Sequence, residues 1–190
     1  PAATRAVAHA AVRHARAAVI GTTALGGADE EALSALARVA PIVVAANFSL
    51  GVNLVLGMVR QAARVLGPEW DAEVVETHHR AKRDAPSGTA LMIARAIAAG
   101  HGVDYDDVKR HGRDGDVGPR PRGQIGVSSV RGGDIIGEHT AYFFGAAERL
   151  EISHRATSRV IFAAGALRAA TWVTGQPPGR YDMLDVLGLQ

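Results

Sequence analysis

His78, His79, Lys82 and Asp84 stand close together in EVVETHHRAKRDAPSGTA, Glu73 to Ala90, where an apolar strand pattern runs into a helix pattern. Ser87, Gly88 and Thr89 fall at the first turn of that helix. Backbone N–H groups there lack intrahelical partners and the helix dipole favours negative charge, so the turn is suited to hold an anion. Gly88 lets a ligand approach the backbone, and Pro86 fixes an extended approach to the helix. His78 and Lys82 lie a few residues upstream. A carboxylate held at the helix end would have a proton donor beside the carbon skeleton attached to it, which implies a small carboxylate substrate.

Each of these residues taken singly also fits an ordinary solvated loop between strand and helix. A metal site built on His78, His79 and Asp84 is a rival reading, opposed by geometry, because adjacent strand residues point to opposite faces. No GxSxG elbow surrounds any serine, which argues against a serine hydrolase. The chain has no cysteine, so disulfides, zinc thiolate sites and cysteine nucleophiles are excluded together.

The elements that must position these groups can be read from hydrophobic periodicity. Ala2 to about Arg16 reads as a helix and Ala17 to Thr23 as a short buried strand; Asp29 to Val39 and Pro41 to Asn47 repeat the step. Two successive helix-to-strand units with continuously apolar strands indicate a parallel sheet covered on both faces, the end of a doubly wound α/β domain. From Ser49 a long helix begins, with Leu54, Met58, Ala62 and Val65 at helical spacing. The strand Asp71 to His79 leads to the helix Ser87 to Gly100, with Ser87 as its cap. His111 to Gln124 is rich in Gly, Pro and charge and reads as an exposed loop. Strand candidates IGVSSV, DIIGEHTAYFF and RLEISHRA follow, then a helix over about Ser158 to Val173. The expected architecture is α/β: a partial doubly wound, Rossmann-type unit over residues 1–47, an α+β domain with a mixed sheet of about four strands over 48–175, and a tail over 176–190 returning toward the first unit.

With 47% hydrophobic and 21% charged residues the 190-residue chain has an ordinary globular composition, and its net charge of +2 is spread without a basic face for nucleic acid. No apolar run reaches the roughly 18 residues of a membrane span. These features fit a cytoplasmic enzyme.

The string Glu73, Val74, Glu76, His78, Lys82, Asp84, Pro86, Ser87, Gly88, Thr89, Ala90 resembles, at every spacing, the signature of the 4-hydroxy-tetrahydrodipicolinate reductase (dihydrodipicolinate reductase) family. VIGTT at Val19, AANFSLGVN at Ala45, VRGGDIIGEHT at Val130 and RLEISHRATSR at Arg149 are also similar to that family. The resemblance implies an NADH- or NADPH-dependent reduction in the diaminopimelate route of lysine biosynthesis, on a small dicarboxylate, by a homotetramer. It implies that His78 donates or accepts a proton, that Lys82 donates one, and that His79, Gly88 and Thr89 contact substrate, with Arg159 a further carboxylate-binding candidate. It places the nicotinamide cofactor at Gly21, Thr22 and Thr23 and at Ala45, Ala46, Asn47 and Phe48. From the residues alone, Gly21 to Thr23 could be an ordinary turn and Asn47 a helix cap. The chain departs from the family at its front, where no strand, GxGxxG turn and helix precede Pro1 and no initiating Met is present. It therefore reads as part of a longer product. A carboxylate-binding and oligomerising module without turnover is the alternative. Another nicotinamide enzyme of similar plan, such as a semialdehyde dehydrogenase, is opposed by the absence of cysteine.

Overall fold

The structure, a computed structural model, describes residues 2–189. Its contacts divide the chain into two compact units, one formed by residues up to Asn53 together with those from Val160 onward, the other by Leu54–Arg159.

The first unit contains helix α1 (Ala2–Arg13), strand β1 (Ala18–Ile20), helix α2 (Gly27–Ala37), strand β2 (Pro41–Val44) and the start of helix α3 (Leu50–Leu66). β1 pairs parallel with β2, Ala18 opposite Ile42. The run PIVV is apolar throughout because it is covered on both faces. Ile42 packs with Ala8, Ile20, Leu33 and Leu36 of one cluster, whereas its neighbour Val43 packs with Phe48, Ala169, Val173, Met183 and Val186 of another. Helices on both sides of a parallel sheet are the doubly wound arrangement expected. Asp29 sits inside α2 rather than before it: Gly26 is the N-cap, and the buried Asp29 carboxylate accepts from the Gly26 N–H at 2.9 Å and pairs with Arg5 at 3.2 Å.

The second unit is a five-stranded mixed sheet, one strand more than expected. It comprises the remainder of α3, strand β3 (Asp71–His78), helices α4 (Gly88–His101) and α5 (Tyr105–Val108), and strands β4 (Lys109–His111), β5 (Ile125–Arg131), β6 (Gly137–Phe144) and β7 (Arg149–Ala156), in the order β4-β5-β3-β6-β7. The additional strand is β4, whose three exposed residues carry no apolar signal; parallel pairing with β5 and the contact of the Tyr105 hydroxyl with His111 Nε2 at 2.8 Å hold it. β3 alternates half-buried and buried residues along its whole length, so one face, with Ala72 and Val74, meets Ile93, Ala94 and Ile97 of α4. In α3 the stripe Leu54, Met58, Ala62 and Val65 is not the buried one: Leu54, Met58 and Val65 are 46%, 47% and 71% exposed, and only Ala62 packs, half-buried, against the core. Val55, Val59 and Ala63 face the core instead, at an equally helical spacing.

Helix α6 (Val160–Val173), expected in the second domain, belongs to the first unit together with strand β8 (Gly179–Tyr181) and helix α7 (Met183–Leu187). β8 joins β2 in parallel, Ile42 opposite Arg180. Gly165 explains the close fit of α6: a Cβ there would lie 1.7 Å from the carbonyl oxygen of Phe48. Among the described residues no helix is long and apolar enough to cross a membrane.

Candidate active site

β3 delivers the site because its inward face ends on polar residues. Glu76 and His78, two apart on one strand, point to the same buried side. Glu76 is fully buried, and burial alone would raise its pKa. Hydrogen bonds from Arg131, Ser129, His78 and the Ser87 backbone outweigh that and hold it at about 2. Arg131 binds it in a fork at 2.9 and 2.8 Å, and the Ser87 N–H donates to Oε1 at 3.1 Å. The remaining partner is Nδ1 of His78. Burial lowers the pKa of His78 despite the Glu76 contact, so its ring is neutral near pH 7.

Sheet pairing supplies the rest. Parallel β5 sets Arg131 opposite His78, and antiparallel β6 sets His139 opposite Glu76. The His139 ring meets that of His78 edge-on at 5.1 Å, and its Nε2 is 3.0 Å from Ser87 Oγ. Burial, with the nearby His78 adding to it, lowers the His139 pKa to about 4. Gly137 leaves room beside His78, since a Cβ there would stand 2.9 Å from Nε2. Ser87 caps α4 as expected, its hydroxyl accepting from the Ala90 N–H at 3.2 Å.

Between strand and helix the chain turns back. The Lys82 N–H donates to the His79 carbonyl at 3.1 Å, and the His79 N–H donates to Ile135 at 2.7 Å. Lys82 Nζ binds both Asp84 oxygens at 2.9 Å, and this bond holds the Asp84 carboxyl below its usual range. Of the residues singled out from sequence, the structure gathers His78, Lys82 and the α4 start at this one strand end, with Lys82 close enough to act on His78 through its charge. His79 and Thr89 are half-buried and Gly88 is exposed. Arg159 is exposed immediately before α6. Glu76, Arg131 and His139 had no role assigned from sequence, although each lies within the motifs quoted above.

The other candidate set lies at the carboxyl ends of β1 and β2, where open parallel sheets take ligands. Ala45 N–H donates to the Ile20 carbonyl at 3.0 Å, and a Cβ on Gly21 would come within 3.1 Å of the Phe48 ring, so the two loops touch. Thr22 receives a hydrogen bond from Thr4 at 2.8 Å, and Thr23 and Ala46 are exposed. Asn47 is not the helix cap: its Oδ1 accepts from Ser49 N–H at 2.8 Å in the turn before α3, and Ser49 caps the helix, its hydroxyl accepting from the Val52 N–H at 3.2 Å. Phe48 is a core residue, 8% exposed.

Residues 51–187 match the family described as dihydrodipicolinate reductase, C-terminus. The chain is 53% identical over 186 residues to 4-hydroxy-tetrahydrodipicolinate reductase of Myxococcus xanthus, covering 97% of this chain and 68% of that protein. The chain belongs to the dihydrodipicolinate reductase family. Identity to the reductase of Alkalilimnicola ehrlichii is 54% over 171 residues, covering 90% of this chain and 64% of the relative. The chain thus spans about two thirds of the length of such reductases. Its fold is that of the dipicolinate-bound dihydrodipicolinate reductase of Paenisporosarcina sp. TG-14, with a TM-score of 0.76 at 24% identity over 95% of this chain and 68% of that one.

Proposed function

We propose that this chain is the catalytic part of a 4-hydroxy-tetrahydrodipicolinate reductase, acting on the diaminopimelate route of lysine biosynthesis with NADH or NADPH. The observation that carries the reading is the strand end where His78, oriented by a buried carboxylate, and Lys82 adjoin the N-terminus of α4. The Paenisporosarcina protein binds dipicolinate, a planar pyridine dicarboxylate. A ligand of that class suits the α4 start, where backbone N–H groups and the helix dipole meet one carboxylate and Lys82 adds a positive charge.

The nicotinamide cofactor supplies a hydride to the unsaturated ring left when the 4-hydroxy compound loses water. The loops after β1 and β2 fit its nicotinamide end: Gly21, Thr22, Ala45 and Ala46 present backbone and small side chains at the ends of parallel strands. Protonation must accompany hydride addition if tetrahydrodipicolinate is to form. Lys82 carries a transferable proton, and His78 exchanges one at its free ring nitrogen. His79, Gly88 and Thr89 orient the anionic substrate, so the developing charge meets donors already in place.

The test is NAD(P)H oxidation by the full-length gene product supplied with 4-hydroxy-tetrahydrodipicolinate. Lys82→Ala and His78→Ala should each lower kcat by on the order of 10² or more, with little change in cofactor affinity. Unchanged kcat in both variants would refute the assignment.

A further inference from the structure

We propose that Glu76 is a positioning residue for proton transfer: its buried carboxylate fixes His78 with a proton on Nδ1 and presents Nε2 as the atom that exchanges a proton with substrate. The inference rests on the reductase reading above and extends it to a fully buried residue behind the proton-transfer histidine.

The geometry leaves few alternatives. An ionised carboxylate only accepts hydrogen bonds, so a ring nitrogen bonded to it must bear hydrogen. Glu76 is held ionised by donors on three sides: the Arg131 fork, the Ser87 N–H and the Ser129 side chain. Nδ1 of His78 completes the set. In the neutral ring the lone pair then lies on Nε2, the nitrogen for which Gly137 leaves space. When Nε2 takes up a proton, the imidazolium is paired at once with the Glu76 charge. The same carboxylate holds the backbone of Ser87, the cap of α4, so the proton-transfer ring and the carboxylate-binding turn share one fixed point.

Other charged or titratable groups facing the pair do not replace it. His139 packs against His78 and bonds to Ser87, with His154 acting on it in turn. Lys82 bears on His78 through its positive charge and is itself held by Asp84. Arg131 also donates to the Asp84 carbonyl at 2.8 Å, tying the turn to the same anchor. Among these groups only Glu76 accepts from His78.

Two measurements on the full-length gene product decide the matter. Long-range 15N–1H correlation spectra of the histidine rings should show His78 as the Nδ1–H tautomer in the unaltered protein, and a mixed or reversed tautomer in Glu76→Gln. In the same variant kcat should fall by about 10-fold or more, since losing the carboxylate behind a histidine costs from about 10-fold at metal-bound histidines to about 10⁴ in a catalytic triad, while KM for the cofactor stays within about twofold. The limb of the kcat profile set by His78 should move to lower pH, because the charge that favours its protonated form is gone. Glu76→Asp should restore part of kcat. An Nε2–H tautomer in the unaltered protein would overturn the proposal without any variant having to fold. So would a Glu76→Gln protein that melts lower but keeps kcat and pH profile, since that marks a purely structural role. The tautomer is read without turnover, so an inactive unaltered protein would count against the reductase reading while leaving the histidine orientation separately tested.

Discussion

The Nε2 of His139 lies 3.0 Å from Oγ of Ser87, joining strand β6 to the residue that caps α4. The contact ties the helix start to the sheet, and burial, with the ring only 5% exposed, keeps the histidine in its neutral form. Folding therefore carries a pH dependence with a definite sign. His139 has its pKa lowered from 6.5 to about 4, so between those values the unfolded chain binds a proton that the folded chain does not. Stability is full above pH 6.5 and declines as the pH falls toward 4, by about 3 kcal/mol from this residue. His78, His101 and His154, lowered by burial, act in the same direction. Glu76 adds a second loss between 4.5 and about 2. Urea unfolding at pH 8, 6, 5 and 4 should trace the decline, and His139→Gln should flatten it; parallel curves for the two proteins would contradict this.

Gly88 offers a way to separate binding from folding. A Cβ there meets nothing within 4 Å, and the residue is the first of α4. Gly88→Ala should leave the melting temperature unchanged or raise stability by about 0.4–1 kcal/mol through the unfolded chain. If the backbone is left bare for a ligand, KM for the dicarboxylate should rise on the order of tenfold, about 1.4 kcal/mol. An unaltered KM would remove Gly88 from the substrate contacts.

Gly165 should tolerate no side chain. Its Cβ would meet the Phe48 carbonyl at 1.7 Å, and that atom is backbone, unable to swing aside. Gly165→Ala should cost about 1–3 kcal/mol or more, as overpacked cores do. It should also weaken cofactor binding, because the displaced loop includes Ala45 to Phe48. Chemical denaturation and cofactor titration of the same variant check both effects.

We infer that the chain self-associates through the outer face of the five-stranded sheet. The inner face is covered by α4, while the register places Val75, Thr140 and Ser153 in a row on the other, beside Tyr142. An antiparallel face of this polarity is stable in water, so what points to a partner over it is the family resemblance, which implies a tetramer. Light scattering should return an oligomer, a tetramer by family resemblance, and Thr140→Arg should shift it toward smaller species. A monomer at micromolar concentration would oppose this.

Local chemistry determined much of this protein from sequence. The parallel strands at Val19 and Ile42 follow from continuous apolar runs, and the cap at Ser87 from a hydroxyl placed before a helix pattern. The concentration of His78, Lys82 and Ser87 at one strand end follows as well, since residues so near in sequence cannot lie far apart. What tertiary structure decided is which of several locally equivalent choices is used. Leu54, Met58 and Val65 lie at helical spacing as Val55, Val59 and Ala63 do, and only the packing of α3 on its unit selects the second stripe. The placement of α6 with β1 and β2 depends on a close approach between Gly165 and Phe48 that no spacing announces. Glu76 resembles any carboxylate on a strand until β5 and β6 pair beside β3. Their registers bring Arg131 opposite His78 and His139 opposite Glu76. A buried charge is tolerated only where its partners converge, and that convergence comes from strands distant in sequence, so it is a property of the assembled sheet.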